Sequence, residues 1–282
     1  MRQKQLGQIV FVGLGLHDEQ GISLSGLKEV RTADKVFAEF YTNLLPSFSL
    51  ERLENLAAKK LTLLSRGELE DMNGQAVLEA GEKGSVALLV PGDPMIATTH
   101  VTLRIEAQKR GIKTRIVHGA SIISAAAGLS GLHNYKFGKS VTVPFPDETT
   151  SATPYSVIAE NLKRGLHTLC LLDIKVDEKR YLSIGDALRT LLNVEEKEGK
   201  RAVTMGTLAV GIARAGSKDP TVKAEHVRLL LRYDFGGPPQ CLIFPGKLHF
   251  MEAEALIVLA GAPKKHKRGQ LNEFGKACFK IR

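Results

Sequence analysis

The chain has 282 residues, which suits two medium-sized α/β domains or one large one. Its 24% charged and 43% hydrophobic residues are typical of a folded globular protein and exclude disorder of the whole chain. No apolar run approaches the ~20 residues of a membrane helix, and the N-terminal MRQKQLGQ lacks the apolar core of a signal peptide. Cys170, Cys241 and Cys278 are widely spaced, which argues against a disulfide framework or a structural zinc site. We therefore expect a protein of the reducing cytoplasm with no metal cofactor.

Most of the positive charge lies at the C-terminus. Lys and Arg total 39 against 30 Asp and Glu, a net charge of +9. Residues 264–282 hold seven basic residues and one acidic residue, which leaves only +3 on residues 1–263. Nucleic-acid binding is therefore not the leading interpretation. The basic tail is interpreted as a solvated extension, with electrostatic steering toward an acidic partner as the alternative.

The hydrophobic pattern alternates between strands and helices along the chain. In the first half it predicts strands at 8–16, 36–41, 61–64, 85–90 and 114–117, and helices at 24–33, after Ser49, and at 68–83, 98–110 and 121–128. In the second half it predicts strands at 140–144, 168–174, 208–213 and 240–244, and helices at 155–164, 184–197, 222–232 and 249–260.

This alternation is typical of α/β folds with mainly parallel sheets. One sheet of about nine strands is possible, but two sheets of four or five strands fit ordinary domain sizes better. We therefore expect an N-terminal α/β domain at 1–118, a C-terminal α/β domain at 119–263 and the tail at 264–282. Ligands of such folds bind at the carboxyl ends of strands, so the loops there are the candidates for function.

The loop after the first predicted strand reads Gly13-Leu14-Gly15-Leu16-His17-Asp18. It contains half of a dinucleotide-binding motif, but Asp18 stands where the third glycine belongs and would face a pyrophosphate with a carboxylate. Two interpretations remain equally good: a tight turn that uses glycine's conformational freedom, or a close approach of the backbone to a ligand that carries no phosphate.

The loop after the fourth predicted strand reads PGDPMIATTH at 91–100. Asp93 before Pro94 is typical of an ordinary helix start, with Asp as N-cap and Pro at the first helical position. The same carboxylate, beside Thr98, Thr99 and His100, is able to accept hydrogen bonds from ribose hydroxyls or an ammonium group.

The remaining histidines have no metal-ligand spacing. The chain also lacks HExxH, GxxxxGK[ST] and GxSxG, so metalloprotease, P-loop ATPase and α/β-hydrolase functions have no support. Residue spacing alone thus predicts a two-domain α/β protein that binds a small ligand.

Several motifs, in order and with matching spacing, resemble the archaeal-type diphthine synthases of the tetrapyrrole-methylase-like superfamily. The resemblance covers residues 6–263 and rests on GLGL (13–16), VFAEFYT (36–42), PGDPMIATTH (91–100), GLHNYKFGKS (131–140), RGLHTLCLLDIK (164–175), ARAGS (213–217) and PGKLHFMEAEAL (245–256). GLG and GDP are common to the superfamily, whereas the later motifs select the diphthine synthases.

The resemblance implies two α/β domains with the cofactor in the cleft between them, and a homodimer. It implies a methyltransferase that uses S-adenosylmethionine, forms S-adenosylhomocysteine and methylates the amino group of a 3-amino-3-carboxypropyl-histidine on elongation factor two, in diphthamide biosynthesis. The cofactor positions that it implies are Leu16, Asp93, Ile96, Ser121, Ile122, Leu172, Ala213, Ala215 and Gln240. The family often has His where this chain has Gln240, which puts a side-chain contact, but not a backbone contact, in doubt.

Methyl transfer from a sulfonium chiefly needs alignment of the reactants, which explains why no catalytic triad is readable. The amine must be neutral to attack, and the sequence does not choose among Glu39, Tyr41, His100, Lys175 and water as the proton acceptor. We expect no single essential base. Two other functions remain open: a methyltransferase of the same fold acting on a tetrapyrrole or other small substrate, and a non-enzymatic nucleotide-binding module.

Overall fold

The computed structural model describes residues 7–148 and 151–264, and residues 265–282 of the predicted tail lie outside this range. The chain forms two compact units. The first comprises the residues up to Ile122 together with Ile174–Arg180, and the second comprises Ile123–Asp173 and the residues from Tyr181 onward. The division that we expected between residues 118 and 119 stays a proposal.

Twelve strands and nine α-helices lie in the described residues. The strands are β1 (Gln8–Gly13), β2 (Lys35–Glu39), β3 (Thr62–Leu64), β4 (Ser85–Val90), β5 (Lys113–Val117), β6 (Val141–Val143), β7 (Thr168–Leu172), β8 (Ile174–Lys175), β9 (Arg180–Tyr181), β10 (Leu208–Ala213), β11 (Thr221–His226) and β12 (Gln240–Phe244). The helices are α1 (Leu24–Thr32), α2 (Leu50–Ala57), α3 (Gln75–Lys83), α4 (His100–Lys109), α5 (Ile122–Ser130), α6 (Thr153–Lys163), α7 (Ile184–Glu198), α8 (Val227–Leu230) and α9 (Phe250–Ala260).

The sheet of the first unit is fully parallel, in the order β3-β2-β4-β1-β5. Its interior strand β1 is an almost continuous buried run because both faces of the sheet are covered. Val10 packs into one apolar cluster with residues of α1 and α2, and Phe11 packs into another with residues of α3 and α4. The strand register places the carboxyl ends of β1, β4 and β5 side by side at one edge.

The sheet of the second unit has the order β11-β10-β12-β7-β6. Only β6 and β7 pair in parallel, and the other three pairings are antiparallel. The expected α/β layering is therefore confirmed, whereas the expectation of a mainly parallel sheet does not hold in this unit. Its apolar core gathers residues of α6, α7 and α8 against one face of the sheet.

Two predicted helices differ from the structure. The helix predicted at 222–232 is strand β11 followed by the one-turn helix α8, because β11 pairs along its whole length with β10. The helix predicted at 68–83 is divided into a π-helical turn, Gly67–Asp71, and α3, because Asn73 and Gly74 adopt positive φ angles of 51° and 62° between them. The predicted cap of α2 is confirmed, since the Ser49 side chain accepts a hydrogen bond from the Arg52 amide.

Cys170 on β7 and Cys241 on β12 are both buried. Cys170 pairs with Leu242 and Cys241 pairs with Leu171, so the two thiols point to opposite faces of the same sheet. Burial raises the pKa of both thiols, that of Cys241 to about 12.

None of the helices within residues 7–148 and 151–264 is long and apolar enough to cross a bilayer. The same residues contain no group of three or more His, Cys, Asp and Glu side chains arranged to hold a metal ion.

Candidate functional site

Three loops meet at the carboxyl edge of the first sheet, and each contributes a glycine. Gly13 ends β1, and Gly92 and Gly119 lie in the loops after β4 and β5. A Cβ atom on Gly13 would lie 2.5 Å from the Gly92 carbonyl oxygen and 2.5 Å from the Gly119 nitrogen, and one on Gly119 would lie 2.2 Å from the same carbonyl oxygen. Glycine at 13 and 119 therefore permits a backbone approach that any side chain would block. We call these three residues the glycine contact.

The loops after β1 and β4 are also joined by a short antiparallel bridge. The Gly15 amide donates to the Gly92 carbonyl oxygen at 3.1 Å, and the Gly92 amide donates to the Gly15 carbonyl oxygen at 2.6 Å. Gly15 and Gly92 have φ angles of +79° and +71°. Gly15 therefore makes the tight turn of the first interpretation, and Gly13 permits a close approach of neighbouring protein backbone. A close approach to a ligand stays a prediction.

Asp93 is held in place beside the glycine contact. Its carboxylate accepts hydrogen bonds from the Met95 amide at 2.9 Å and pairs with His118 Nδ1 at 2.7 Å. The side chain is 6% exposed, and it caps a turn rather than a helix, because α4 begins only at His100. The expectation of an N-cap at Asp93 is therefore wrong, and the carboxylate is positioned as an acceptor at the edge where α/β folds bind ligands. Residue 118, which the sequence suggested only as a domain boundary, is its partner.

The remaining cofactor positions of the first unit lie in the same three loops or directly after them. Half-buried Leu16 follows the bridge, and Ile96, 36% exposed, lies in the turn that Asp93 organises. Ser121 and Ile122 are half-buried and lead from β5 into α5. The structure thus gathers the predicted positions of this unit onto consecutive loops of one sheet edge.

The cofactor positions of the second unit come together at one edge of the other sheet. Ala213 ends β10 and pairs with Gln240, which begins β12. Leu172 ends β7 beside the pair Leu171 and Cys241. Half-buried Ala215 follows Ala213 in the loop after β10.

The side chain of Gln240 is engaged within its own unit. Its Oε1 accepts from the Ile184 amide at 2.9 Å, and its Nε2 donates to the Gly236 carbonyl oxygen at 2.7 Å. Nearby, Arg214 donates to the carbonyl oxygens of Phe235 and Gly237. The two polar ends of Gln240 therefore connect β12 to the start of α7 and to the loop before β12, so the side chain already has partners within its own unit. Arg214 lies between the predicted positions Ala213 and Ala215.

Three of the four candidate proton acceptors lie close together. All three are buried: Glu39 ends β2, Tyr41 follows two residues later, and His100 begins α4. His100 Nε2 lies 3.8 Å from Glu39 Oε1. Lys175 lies on β8 and forms an ion pair with Glu178 at 3.3 Å.

The motifs that select the diphthine synthases meet at one buried carboxylate, Glu252. It accepts hydrogen bonds from the backbone amides of His133 and His249 at 2.9 and 2.7 Å, from His167 Nε2 at 2.8 Å and from Lys136 Nζ. His167 Nδ1 accepts from the Gly246 amide at 2.9 Å, which places its proton on Nε2. Burial alone would raise the pKa of Glu252, but these donors hold it at about 2. The motifs at 131–140, 164–175 and 245–256 thus form a structural network in the second unit.

Comparison with known proteins gives one consistent family. Residues 8–226 match the family described as Tetrapyrrole (Corrin/Porphyrin) Methylases. The diphthine synthase of Methanosarcina barkeri is 49% identical over 261 residues, which cover 90% of this chain and 97% of that protein. The diphthine synthase of Methanothermobacter thermautotrophicus is 46% identical over 257 residues, covering 91% and 97%.

A solved structure supports the same assignment at the level of the fold. The crystal structure of a diphthine synthase superposes with a TM-score of 0.84 at 44% identity, covering 93% of this chain and 99% of that one. The resemblance read from the motifs and the fold class that it implies are both confirmed. The chain is therefore a methyltransferase that belongs to the diphthine synthase family of the tetrapyrrole methylases.

Proposed function

We propose that this chain transfers methyl groups from S-adenosylmethionine to the amino group of a 3-amino-3-carboxypropyl-histidine on elongation factor two, in diphthamide biosynthesis. Relatives named diphthine synthase match nearly the whole chain at almost half identity, which supports this substrate. In the structure, the proposal is supported above all by the position of Asp93, a buried acceptor that the Met95 amide and His118 fix beside the glycine contact.

The residues of the first unit fit the cofactor. The glycine contact keeps backbone close to the ligand edge, and Asp93 offers a carboxylate to hydroxyl or ammonium donors. Leu16 and Ile96 add apolar surface on the same loops. When bound, S-adenosylmethionine supplies an electrophilic methyl group. We propose that Asp93, Leu16, Ile96, Ser121 and Ile122 hold it.

In the second unit, we propose contributions from Leu172, Ala213 and Ala215, and from the backbone of Gln240. Backbone ladders fix the positions of Leu172, Ala213 and Gln240 at one edge of the sheet, and Ala215 lies in the loop directly after β10. Rigid backbone of this kind suits a reaction that depends on alignment, because orientation alone supplies several kcal/mol of the barrier.

The proposed activity is tested by incubating the protein with a labelled methyl donor and elongation factor two that carries the unmethylated intermediate. Label is expected on the modified histidine and not on a tetrapyrrole offered in parallel. Labelling of the tetrapyrrole alone, or binding of S-adenosylhomocysteine without any transfer, would contradict the proposal.

Asp93→Ala is expected to weaken the binding of S-adenosylhomocysteine by about tenfold or more, since a hydrogen bond to a charged group contributes about 1.5–3 kcal/mol. Isothermal titration calorimetry measures this affinity, and a thermal melt shows that the variant is folded. An unchanged dissociation constant would reject the role of Asp93.

We further propose a homodimer. On α9, the side chains of Phe250, Met251, Val258 and Leu259 are each more than half exposed, and a helix that exposes several large apolar side chains is a candidate for a contact between chains. Light scattering is expected to give twice the chain mass of 30.7 kDa. A particle of 30.7 kDa at micromolar concentration would contradict a stable dimer.

A further inference from the structure

A buried carboxylate ends β2 at the ligand edge of the first sheet. Glu39 is completely buried, and its Oε2 accepts from the amides of Tyr41 and Thr42, each at 3.1 Å. Thr42 Oγ1 donates to Oε1 at 2.5 Å. These three donors fix the carboxylate and leave Oε1 facing His100 Nε2 at 3.8 Å.

His100 and Tyr41, 2% and 4% exposed, lie beside Glu39 in a cluster of buried polar groups. Within residues 7–148 and 151–264, no partner completes a hydrogen bond of normal geometry with either ring nitrogen of His100 or with the Tyr41 hydroxyl. The nearest polar groups are the Pro94 backbone for His100, and Glu70 and Thr99 for Tyr41. Buried polar groups are normally paired, so groups left unpaired at a ligand edge indicate that a ligand completes them.

The cluster opens on a groove of about 600 Å³. His100, Thr99 and Glu70 line it on one side, and Glu106 lines it farther along α4. Thr99 Oγ1 donates to Glu70 at 3.2 Å. A ligand in the groove would therefore reach His100 and the carboxylate of Glu70 without any change of the fold.

The cluster lies at the same sheet edge as the proposed cofactor loops. β2 and β4 are neighbours in the parallel sheet, so Glu39 and the loop after β4 lie at the same edge. That loop carries Asp93 and continues directly into His100, the first residue of α4. One connected segment thus spans the proposed cofactor position and the buried cluster.

We propose that Glu39, Tyr41, Glu70 and His100 form the subsite that binds the substrate's amine as an alkylammonium and takes one proton from it; the proposal rests on the function proposed above. One N–H bond breaks, its electron pair stays on nitrogen, and the proton is held between Glu39 Oε1 and His100 Nε2. The neutral amine is then the nucleophile. After transfer, the proton leaves to solvent and the pair is restored.

The electrostatics of the cluster suit this step. Burial raises the pKa of Glu39 to about 7 and lowers that of His100 to about 4, so near neutral pH the pair has room for one proton. An acceptor whose pKa lies near the working pH is the most effective one. Arg66 faces the Tyr41 ring, with its guanidinium 5.3 Å from the ring centroid. Lys109 and Arg110 line the groove farther along α4. At the cluster itself, Glu39, Glu70 and the neutral His100 ring offer acceptors to an incoming cation.

The test is the steady-state kinetics of four variants with elongation factor two that carries the intermediate. Glu39→Gln and His100→Gln are expected to lower kcat about a hundredfold, the contribution typical of a proton acceptor. Tyr41→Phe removes only an unpaired hydroxyl and is expected to raise KM severalfold. The control Glu196→Gln changes an exposed carboxylate on α7, outside the groove lining, and is expected to retain wild-type kinetics. Affinity for S-adenosylhomocysteine should stay within threefold in all four.

The pH profile separates a chemical role from a structural one. In the wild type, kcat is expected to fall below pH 7 as Glu39 becomes protonated, and this acid limb should vanish or shift in Glu39→Gln. If Glu39→Gln does not fold, His100→Gln and Tyr41→Phe carry the test. Wild-type kcat, KM and acid limb in the folded variants would overturn the subsite and leave the proposed function standing. A wild-type protein that binds the cofactor but does not methylate the factor would overturn both.

Discussion

Glu252→Ala is expected to lower the free energy of unfolding by about 3–5 kcal/mol, because breaking a buried ion pair leaves its cation without a partner. The variant leaves Lys136 and His167 without their carboxylate partner, and it removes the acceptor of two backbone amides. For a chain of this size the melting temperature should fall by about 10 °C. Differential scanning calorimetry measures the change, and the exposed Glu196→Ala on α7 serves as the control, with an expected effect within about 0.5 kcal/mol.

The same carboxylate makes a specific contribution to acid unfolding. Its pKa is about 2 in the folded protein and near 4.5 in the unfolded chain, so its stabilisation is complete above pH 4.5 and is lost as the pH falls toward 2. Glu252→Gln should show a flatter dependence of stability on pH over this window. Equal slopes for the variant and the wild type would mean that Glu252 is not held ionised by its neighbours.

Gly119→Ala is expected to reduce methyl transfer about a hundredfold, since a displacement of about 1 Å in a positioning element is enough for a loss of this size. The new Cβ would lie 2.2 Å from the Gly92 carbonyl oxygen and 2.9 Å from the Gly13 Cα, so the loops after β1, β4 and β5 must separate. Stability should fall by only about 1–3 kcal/mol, the usual cost of overpacking. Turnover and cofactor affinity are measured on protein that a thermal melt shows to be folded.

The matched control for this variant is Gly185→Ala in the first turn of α7. There the nearest atom to the added Cβ is the flexible end of Arg189 at 3.5 Å, and alanine favours the helix. Activity should be unchanged and stability equal or slightly higher. If Gly119→Ala behaves like this control, the glycine contact does not position the cofactor.

Much of the fold follows from local pattern. The buried runs of β1 and β4 and the capped helix after Ser49 are where the pattern predicts them, because burial on both faces and side-chain capping act on short segments. β11 shows the limit of this reasoning. Its sequence has helical spacing of apolar residues, and only the long-range ladder with β10, such as the pair Ala209 and Glu225, makes it a strand.

The candidate site divides in the same way. The sequence indicates Asp93 as a candidate because it follows an apolar strand. His118 and Gly119 are 25 and 26 residues away along the chain, and they become its neighbours only when β5 pairs beside β1. The identifying motifs at 131–140 and 245–256 carry histidines that suggest chemistry. In the structure these motifs have a structural role instead, because their residues form hydrogen bonds with Glu252 and stabilise the second unit.

The two thiols on opposite faces of the second sheet supply a built-in probe of folding. Because burial raises the pKa of Cys170 and Cys241, neither is present as the reactive thiolate in the native state. Alkylation of either site must therefore wait for the sheet to open. Mass mapping of each cysteine during timed exposure to iodoacetamide would report the opening of its face separately. Equal labelling rates would show that β7 and β12 separate in one cooperative event, and unequal rates would show that one face opens first.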